Sequence, residues 1–288
     1  MDNANRRVRL DKSKLSEIPL DALRCGDIES LSLFQNDLRE LPDALWRLTQ
    51  LTTLNLGDNR IEVVPDGIGK LTRLRMLDLG HNALTRLPDT LGRLTGLADF
   101  LYLSHNRLVA LPDCLGNLTA LAYLNVGDNQ LTALHKDIGN MSGLVELRVV
   151  RNQLSSLPDS IGMLALLKQF HAQQNRLSHL PAAIGNLVSL RELDLADNAL
   201  DALPASIGNL TQLRRLNLRN NAIAMLPASM GELRNLTHLD LRANPLRSLP
   251  EAIGELSALE KLDLRWCELD AIPGWVERLR ARGVMVYL

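Results

Sequence analysis

Large rings are scarce in this chain: three Trp, three Tyr and three Phe among 288 residues, 3% in all. That excludes a core of interlocking aromatics. Cysteine is equally sparse. Cys25, Cys114 and Cys267 are odd in number and far apart, which excludes a disulfide framework and offers no metal-ligand spacing. Neither charge is in excess: 32 Lys and Arg stand against 33 Asp and Glu, a formal net charge of -1. A general nucleic-acid binder carries a basic surplus on one face, so no nucleic-acid partner is expected. No apolar run approaches the ~20 residues that cross a bilayer, so no membrane insertion is expected. The stretch from Ser160 to Leu167 is among the longest and stops at Lys168. The N-terminus, Met1 to Arg9, has no apolar segment of the secretory kind. The expected setting is a reducing cytoplasm, with secretion as an effector left open.

Leucine fills the gap, at 65 residues. It recurs around an asparagine column: Asn36, Asn59, Asn82, Asn106, Asn129, Asn152, Asn175, Asn198, Asn221 and Asn244. Every step is 23 residues except one of 24, from Asn82 to Asn106. The register extends back to Ser13 and forward to Cys267. A clear copy is Leu193-Asp-Leu-Ala-Asp-Asn198-Ala-Leu-Asp-Ala-Leu-Pro204-Ala-Ser-Ile-Gly208. Leu-x-Leu alternates with period two and reads as a short strand. The rest of each repeat is long enough to return the chain to a parallel neighbour. Pro65, Pro88, Pro204 and their equivalents open the return segment, where a missing N–H is tolerated. Glycine follows four residues later, at a point of backbone crowding or of positive φ. One repeat cannot bury its own leucines; stacked repeats form a continuous core. The asparagine amide supplies both a donor and an acceptor to loops that have no ladder.

This wording resembles the leucine-rich repeat family in its 23-residue form. Leu-Pro followed by Ile-Gly looks most like the Ras-group and Scribble-type intracellular repeats and their bacterial counterparts. The resemblance covers residues 8 to 288. The fold expected is an α/β solenoid, a right-handed horseshoe without a domain break. It has a parallel concave β-sheet and short helical or 3-10 turns on the convex side. Residues 1–7 are expected as a flexible N-terminus, 8–272 as twelve repeats, and 273–288 as a capping helix and strand. Within the cap, Trp275, Val276 and Leu279 form the buried side of a short amphipathic helix. The first strand is expected at Val8–Leu10, where Arg6, Arg7, Arg9, Lys12 and Lys14 guard an edge or meet a nucleic acid or lipid.

Residues six, four and two before each asparagine share the exposed strand face, and the repeat does not dictate them. Met76, Phe100, Tyr102 and Tyr123 fall on three consecutive strands beside a lane of Gly57, Gly80, Ser104 and Gly127. Arg148 and His171 flank them. Exposed rings mark interfaces; they also stabilise sheets by stacking across strands. Further along, Asp194, Asp240 and Asp263 run beside Arg219, Arg242 and Arg265, either as a solvated ladder of lateral pairs or as a docking strip. The extra residue in Leu97–Leu101 reads as a bulge or a tolerated loop insertion. Asp58, His81, His105 and Asp128 precede successive asparagines; a metal there is the weaker reading, against ordinary repeat wording. His135 replaces a proline and marks a relaxed turn.

No phosphate loop, nucleophile elbow or metalloprotease motif is present. The chain therefore reads as a non-enzymatic, monomeric scaffold with no cofactor and no metal, binding a partner protein on its concave face. The predicted protein-binding residues are Met76, Phe100, Tyr102, Tyr123, Arg148 and His171. The alternative is a bacterial effector or signalling adaptor acting on host or cellular signalling proteins.

Overall fold

The computed structural model describes residues 6–24 and 27–288. Residues 1–5 of the expected flexible N-terminus, and Cys25, lie outside the described residues. The chain groups into two compact units, residues 1–144 and 145–288.

Among the described residues the first unit carries six three-residue strands: β1 (Arg7–Arg9), β2 (Ser30–Ser32), β3 (Thr53–Asn55), β4 (Met76–Asp78), β5 (Phe100–Tyr102) and β6 (Tyr123–Asn125). Each pairs parallel with the next. The strand expected at Val8–Leu10 runs one residue earlier, and the Arg6 carbonyl already accepts the Glu29 N–H at 2.8 Å. The middle leucines, Leu31, Leu54, Leu77, Leu101 and Leu124, are fully buried. Their neighbours point to the opposite face, as period two requires. Each strand returns through a 3-10 turn, for example Asp66–Lys70 and Asp89–Arg93, preceded by an extended proline. At His135 no proline is available, and the turn shortens from five residues to the three of Ile138–Asn140. There the Asp137 N–H donates to His135 Nδ1 at 3.1 Å.

The glycine that follows each proline answers to crowding. A Cβ on Gly92 would stand 2.5 Å from the Cys114 carbonyl oxygen of the next repeat. Left-handed φ falls instead on the residue before each asparagine, 55° at Asp58 and 52° at His81.

The inserted residue is a bulge directly before β5. The Asp99 N–H bonds the Arg75 carbonyl at 2.9 Å, while the Ala122 N–H reaches the Ala98 carbonyl at 2.8 Å. Two residues thus occupy a position that one fills elsewhere. The strand register survives, with Met76 opposite Phe100 and Phe100 opposite Tyr123.

Asparagines stitch neighbouring loops. Asn82 Nδ2 donates to the carbonyls of Leu56 (3.0 Å) and Leu79 (3.2 Å), and its Oδ1 accepts the Ile61 N–H at 2.9 Å. At the first end, Ser13 and Leu15 give their N–H groups to Asn36 Oδ1, both at 3.0 Å.

The second unit holds β7 (Glu146–Arg148), β8 (Gln169–His171), β9 (Glu192–Asp194), β10 (Arg215–Asn217), β11 (His238–Asp240), β12 (Lys261–Asp263) and β13 (Met285–Tyr287). These too pair parallel in chain order. Cys267 takes the asparagine place; its thiol donates to the Leu241 carbonyl at 3.2 Å. The helix α1 (Trp275–Ala281) follows, with Trp275, Val276 and Leu279 buried. Arg282 ties it down by donating to the carbonyls of Leu256 (2.9 Å) and Ser257 (3.0 Å).

Candidate protein-binding surface

In the first unit, β4, β5 and β6 place Met76, Phe100 and Tyr123 side by side at the first strand position. Tyr102 lies two residues along β5, opposite Asp78 and Asn125. The three rings form a triangle. Phe100 stacks on Tyr102 with centroids 5.8 Å apart, meets Tyr123 edge-on at 5.6 Å, and Tyr102 tilts against Tyr123 at 5.1 Å. These separations are those of favourable offset and edge-to-face pairs. Phe100 stays 41% exposed even so. A partly open aromatic cluster is thus assembled from residues on only two strands.

The lane beside the rings is fuller than its glycines suggest. The Asp78 carboxylate accepts the Gly80 N–H at 2.9 Å and lies 3.0 Å from where a Gly57 Cβ would stand. Burial pushes the Asp78 carboxyl above its ordinary pKa, against the Gly80 N–H and the nearby His81. At Gly57 and Gly80 the lane therefore houses a carboxylate. Next to it His81 and His105 stack, 3.9 Å between centroids and 13° between planes. His105 Nε2 comes 3.5 Å from Asp128 Oδ2. Among the described residues no group of three or more His, Cys, Asp or Glu side chains is arranged to hold a metal ion.

In the second unit, Arg148 and His171 are register partners on β7 and β8. Arg148 pairs with Glu146 of its own strand. His171 is only 7% exposed, so it presents little surface to a partner, contrary to its expected place on an open face. Burial, with Arg148 adding to it, lowers its pKa. Gln169 of the same strand lies against the ring, with Oε1 3.4 Å from His171 Nε2.

The charged strip differs from a solvated ladder of lateral pairs. Arg242 and Arg265 each turn back onto the aspartate of their own strand, Arg242 Nε to Asp240 Oδ1 at 2.9 Å and Arg265 Nη2 to Asp263 Oδ2 at 2.8 Å. Among the described residues one lateral contact to the column of Asp194, Asp240 and Asp263 remains, Arg242 Nε to Asp263 Oδ2 at 3.5 Å. Arg219 bonds Asp197 at 2.9 Å rather than Asp194. The Asp263 side chain is 0% exposed.

A cluster that the strand columns do not reveal lies at the last strands. The Arg265 guanidinium sits 5.6 Å from the Trp266 ring and 5.1 Å from that of Tyr287, and Lys261 Nζ is 5.4 Å from Tyr287. Trp266 is exposed at φ 64°. The signal was present in sequence: Trp266 occupies the column before the asparagine place, where Lys12, Gln35 and Asp58 stand in other repeats.

Parallel three-residue strands, 3-10 returns and a bonded asparagine column define a leucine-rich repeat solenoid. The family model of the leucine-rich repeat region matches residues 13–154, 112–199 and 182–281, and the chain belongs to that family. Among solved structures it is similar to a TDR receptor, at 30% identity and a TM-score of 0.81, covering 91% of this chain and 47% of that one. The plant peptide hormone receptor RGFR1, in complex with RGF2, matches at 26% identity and a TM-score of 0.69, covering 98% of this chain and 55% of the receptor. The internalin InlF of Listeria monocytogenes shares the fold at 22% identity and a TM-score of 0.73, covering 98% and 86%. The chain thus spans about half the length of the two receptors. No curated protein sequence matches it. The family fold is one that serves protein–protein interaction in general. Among the described residues no helix is long and apolar enough to cross a membrane.

Proposed function

We propose that this chain is a non-enzymatic scaffold that grips a partner protein on the open face of its strands, with Phe100, Tyr102 and Tyr123 as the anchor and Met76 beside them. One observation carries the reading: three rings held 5.1–5.8 Å apart on a strand face, with Phe100 still partly open to solvent. Tyrosine and other large side chains in a pre-ordered cluster lose little entropy on contact and dominate interface energies. RGFR1, bound to RGF2, supports a peptide or protein ligand for a relative of this fold. Arg148 serves at the margin. His171 acts there only by holding its neighbours in place. A reducing compartment fits a chain whose three cysteines form no disulfide framework in their sequence pattern.

The test is affinity capture with the intact protein, followed by titration of the captured partner. Tyr102→Ala should cost about 2 kcal/mol, roughly thirtyfold in affinity, as hot-spot rings do. Asp240→Ala should change binding little. Equal binding by parent and Tyr102→Ala, with loss in Asp240→Ala, would move the docking surface to the charged strip.

A further inference from the structure

Each repeat returns from its 3-10 turn to its strand through the same positions, and most repeats put polar or small residues there. Asn117, Asn140 and Asn209 end the turn; Thr95, Thr119 and Thr211 come two residues later; Gly143, Ser189 and Gln212 follow. Two consecutive repeats of the second unit depart from this. Met163 stands in the asparagine position, Val188 in the threonine position and Leu166 in the next. They are 60%, 54% and 55% exposed. Nothing in the repeat calls for apolar side chains at these positions, since other repeats fold without them. Clustered exposed apolar residues mark an interaction site, whereas scattered ones need no explanation.

A row of cations borders the patch. Lys168, Arg191 and Arg214 are exposed and immediately precede β8, β9 and β10. They are direct neighbours: the Arg191 N–H bonds the Lys168 carbonyl and the Arg214 N–H bonds the Arg191 carbonyl, both at 2.8 Å. Among the described residues none of the three lies within ion-pair distance of a carboxylate. Leu166 is two residues from Lys168, and Val188 three from Arg191, so apolar and basic surfaces adjoin.

We propose that this patch is a second docking surface, separate from the strand face, for a partner segment whose apolar side chains are flanked by carboxylates. Charge complementarity selects that occupant. A second copy of the same patch would set the basic row against itself.

The experiment uses a short synthetic amphipathic peptide with leucines at i, i+3, i+4 and i+7 and glutamates on the flanking positions. It is titrated against the intact protein by fluorescence anisotropy. The same peptide with lysine for glutamate, and phosphatidylserine–phosphatidylcholine vesicles, run alongside. The triple variant Met163→Asn/Leu166→Ser/Val188→Thr installs residues that other repeats already carry, so it keeps the fold, as its denaturation curve will verify. Binding of the acidic peptide should weaken about tenfold or more in that variant and in Lys168→Glu/Arg191→Glu, as when hot-spot contacts are removed. Tyr102→Ala should leave it unchanged, which separates failure here from failure of the strand-face reading. Three results overturn the proposal: no binding of the acidic peptide, equal binding of the lysine peptide, or indifference of the triple variant. Vesicle binding without peptide binding overturns it too, in favour of a lipid surface.

Discussion

Trp275 lies so close over Gly254 that a Cβ on the glycine would come within 2.7 Å of the indole Cγ. Earlier in the chain that space belongs to the backbone of the following repeat, as at Gly208, where a Cβ would meet the Ser229 carbonyl oxygen at 2.5 Å. One buried ring on α1 therefore stands in for a repeat. Trp275→Ala should reduce unfolding free energy by about 3–5 kcal/mol, the usual cost of deleting a buried large ring. Urea denaturation followed by circular dichroism measures it. A loss below about 1 kcal/mol would mean that the last repeat is sealed by something else.

Asn106 is 9% exposed and bonds four backbone groups: it donates to the carbonyls of Leu79 (2.9 Å), Leu103 (3.0 Å) and Ser104 (3.3 Å) and accepts the Leu84 N–H at 3.0 Å. Asn106→Ala leaves the Leu84 N–H without its acceptor and takes one donor each from the Leu79 and Leu103 carbonyls, which still accept from Asn82 and Asn129, at about 1–3 kcal/mol in all. Ser13→Ala removes only an exposed hydroxyl bond to the Asp11 carbonyl. The first variant should shift the denaturation midpoint well beyond the second. Matching midpoints would deny the asparagine column its stitching role.

Asp263 is buried, which by itself pushes its carboxyl up, yet Arg265 and Arg242 hold it below the ordinary carboxylate range. Its contribution to stability is therefore present above pH ~3.9, the ordinary aspartate value, and fades as pH falls through the lower folded value. Arg265→Ala leaves that buried charge with one cation fewer. It should lower the midpoint at neutral pH clearly more than Arg247→Ala, whose pair with Asp270 is exposed on both sides. Similar shifts would show that the strip is solvated after all.

His171 and Asp194 respond oppositely to acid. Burial lowers the His171 pKa, so the native state favours the neutral ring. Stability from it is complete above the ordinary value of 6.5 and declines as pH drops from there through the lower folded value. Burial raises the Asp194 pKa, so its carboxylate costs stability at neutral pH, and that cost is relieved as pH falls towards 3.8. His171→Gln should flatten the stability profile just below pH 6.5 and leave the more acidic limb alone. Superimposable profiles for parent and variant would place the imidazole in solvent.

The triangle of Phe100, Tyr102 and Tyr123 was legible because two periods act together. Alternation along a strand chooses the face, and the step of 23 or 24 residues chooses the neighbour. His171 belongs to the same columns, and its direction was read correctly. Its burial was not, because burial depends on the rotamers of surrounding side chains, which no column records. Asp78 escaped for a similar reason: glycine at 57 signals space, and only packing shows the carboxylate that uses it. The Arg265 contacts with its neighbour Trp266 and with Tyr287 of β13 depend on how the arginine side chain folds over the last strands, which a strand column does not record.

Fold, strand positions, asparagine stitching and the grouping of the rings follow from the amino-acid sequence alone, since each rests on a local period that recurs in every repeat and is reinforced by stacking. Exposure, ion-pair partners and pKa directions were decided only in the tertiary structure. They depend on which rotamer a long side chain adopts among neighbours about 4.8 Å away on either side. At that spacing an arginine reaches its own strand or the next with nearly equal ease, and the packing of the whole face selects between them.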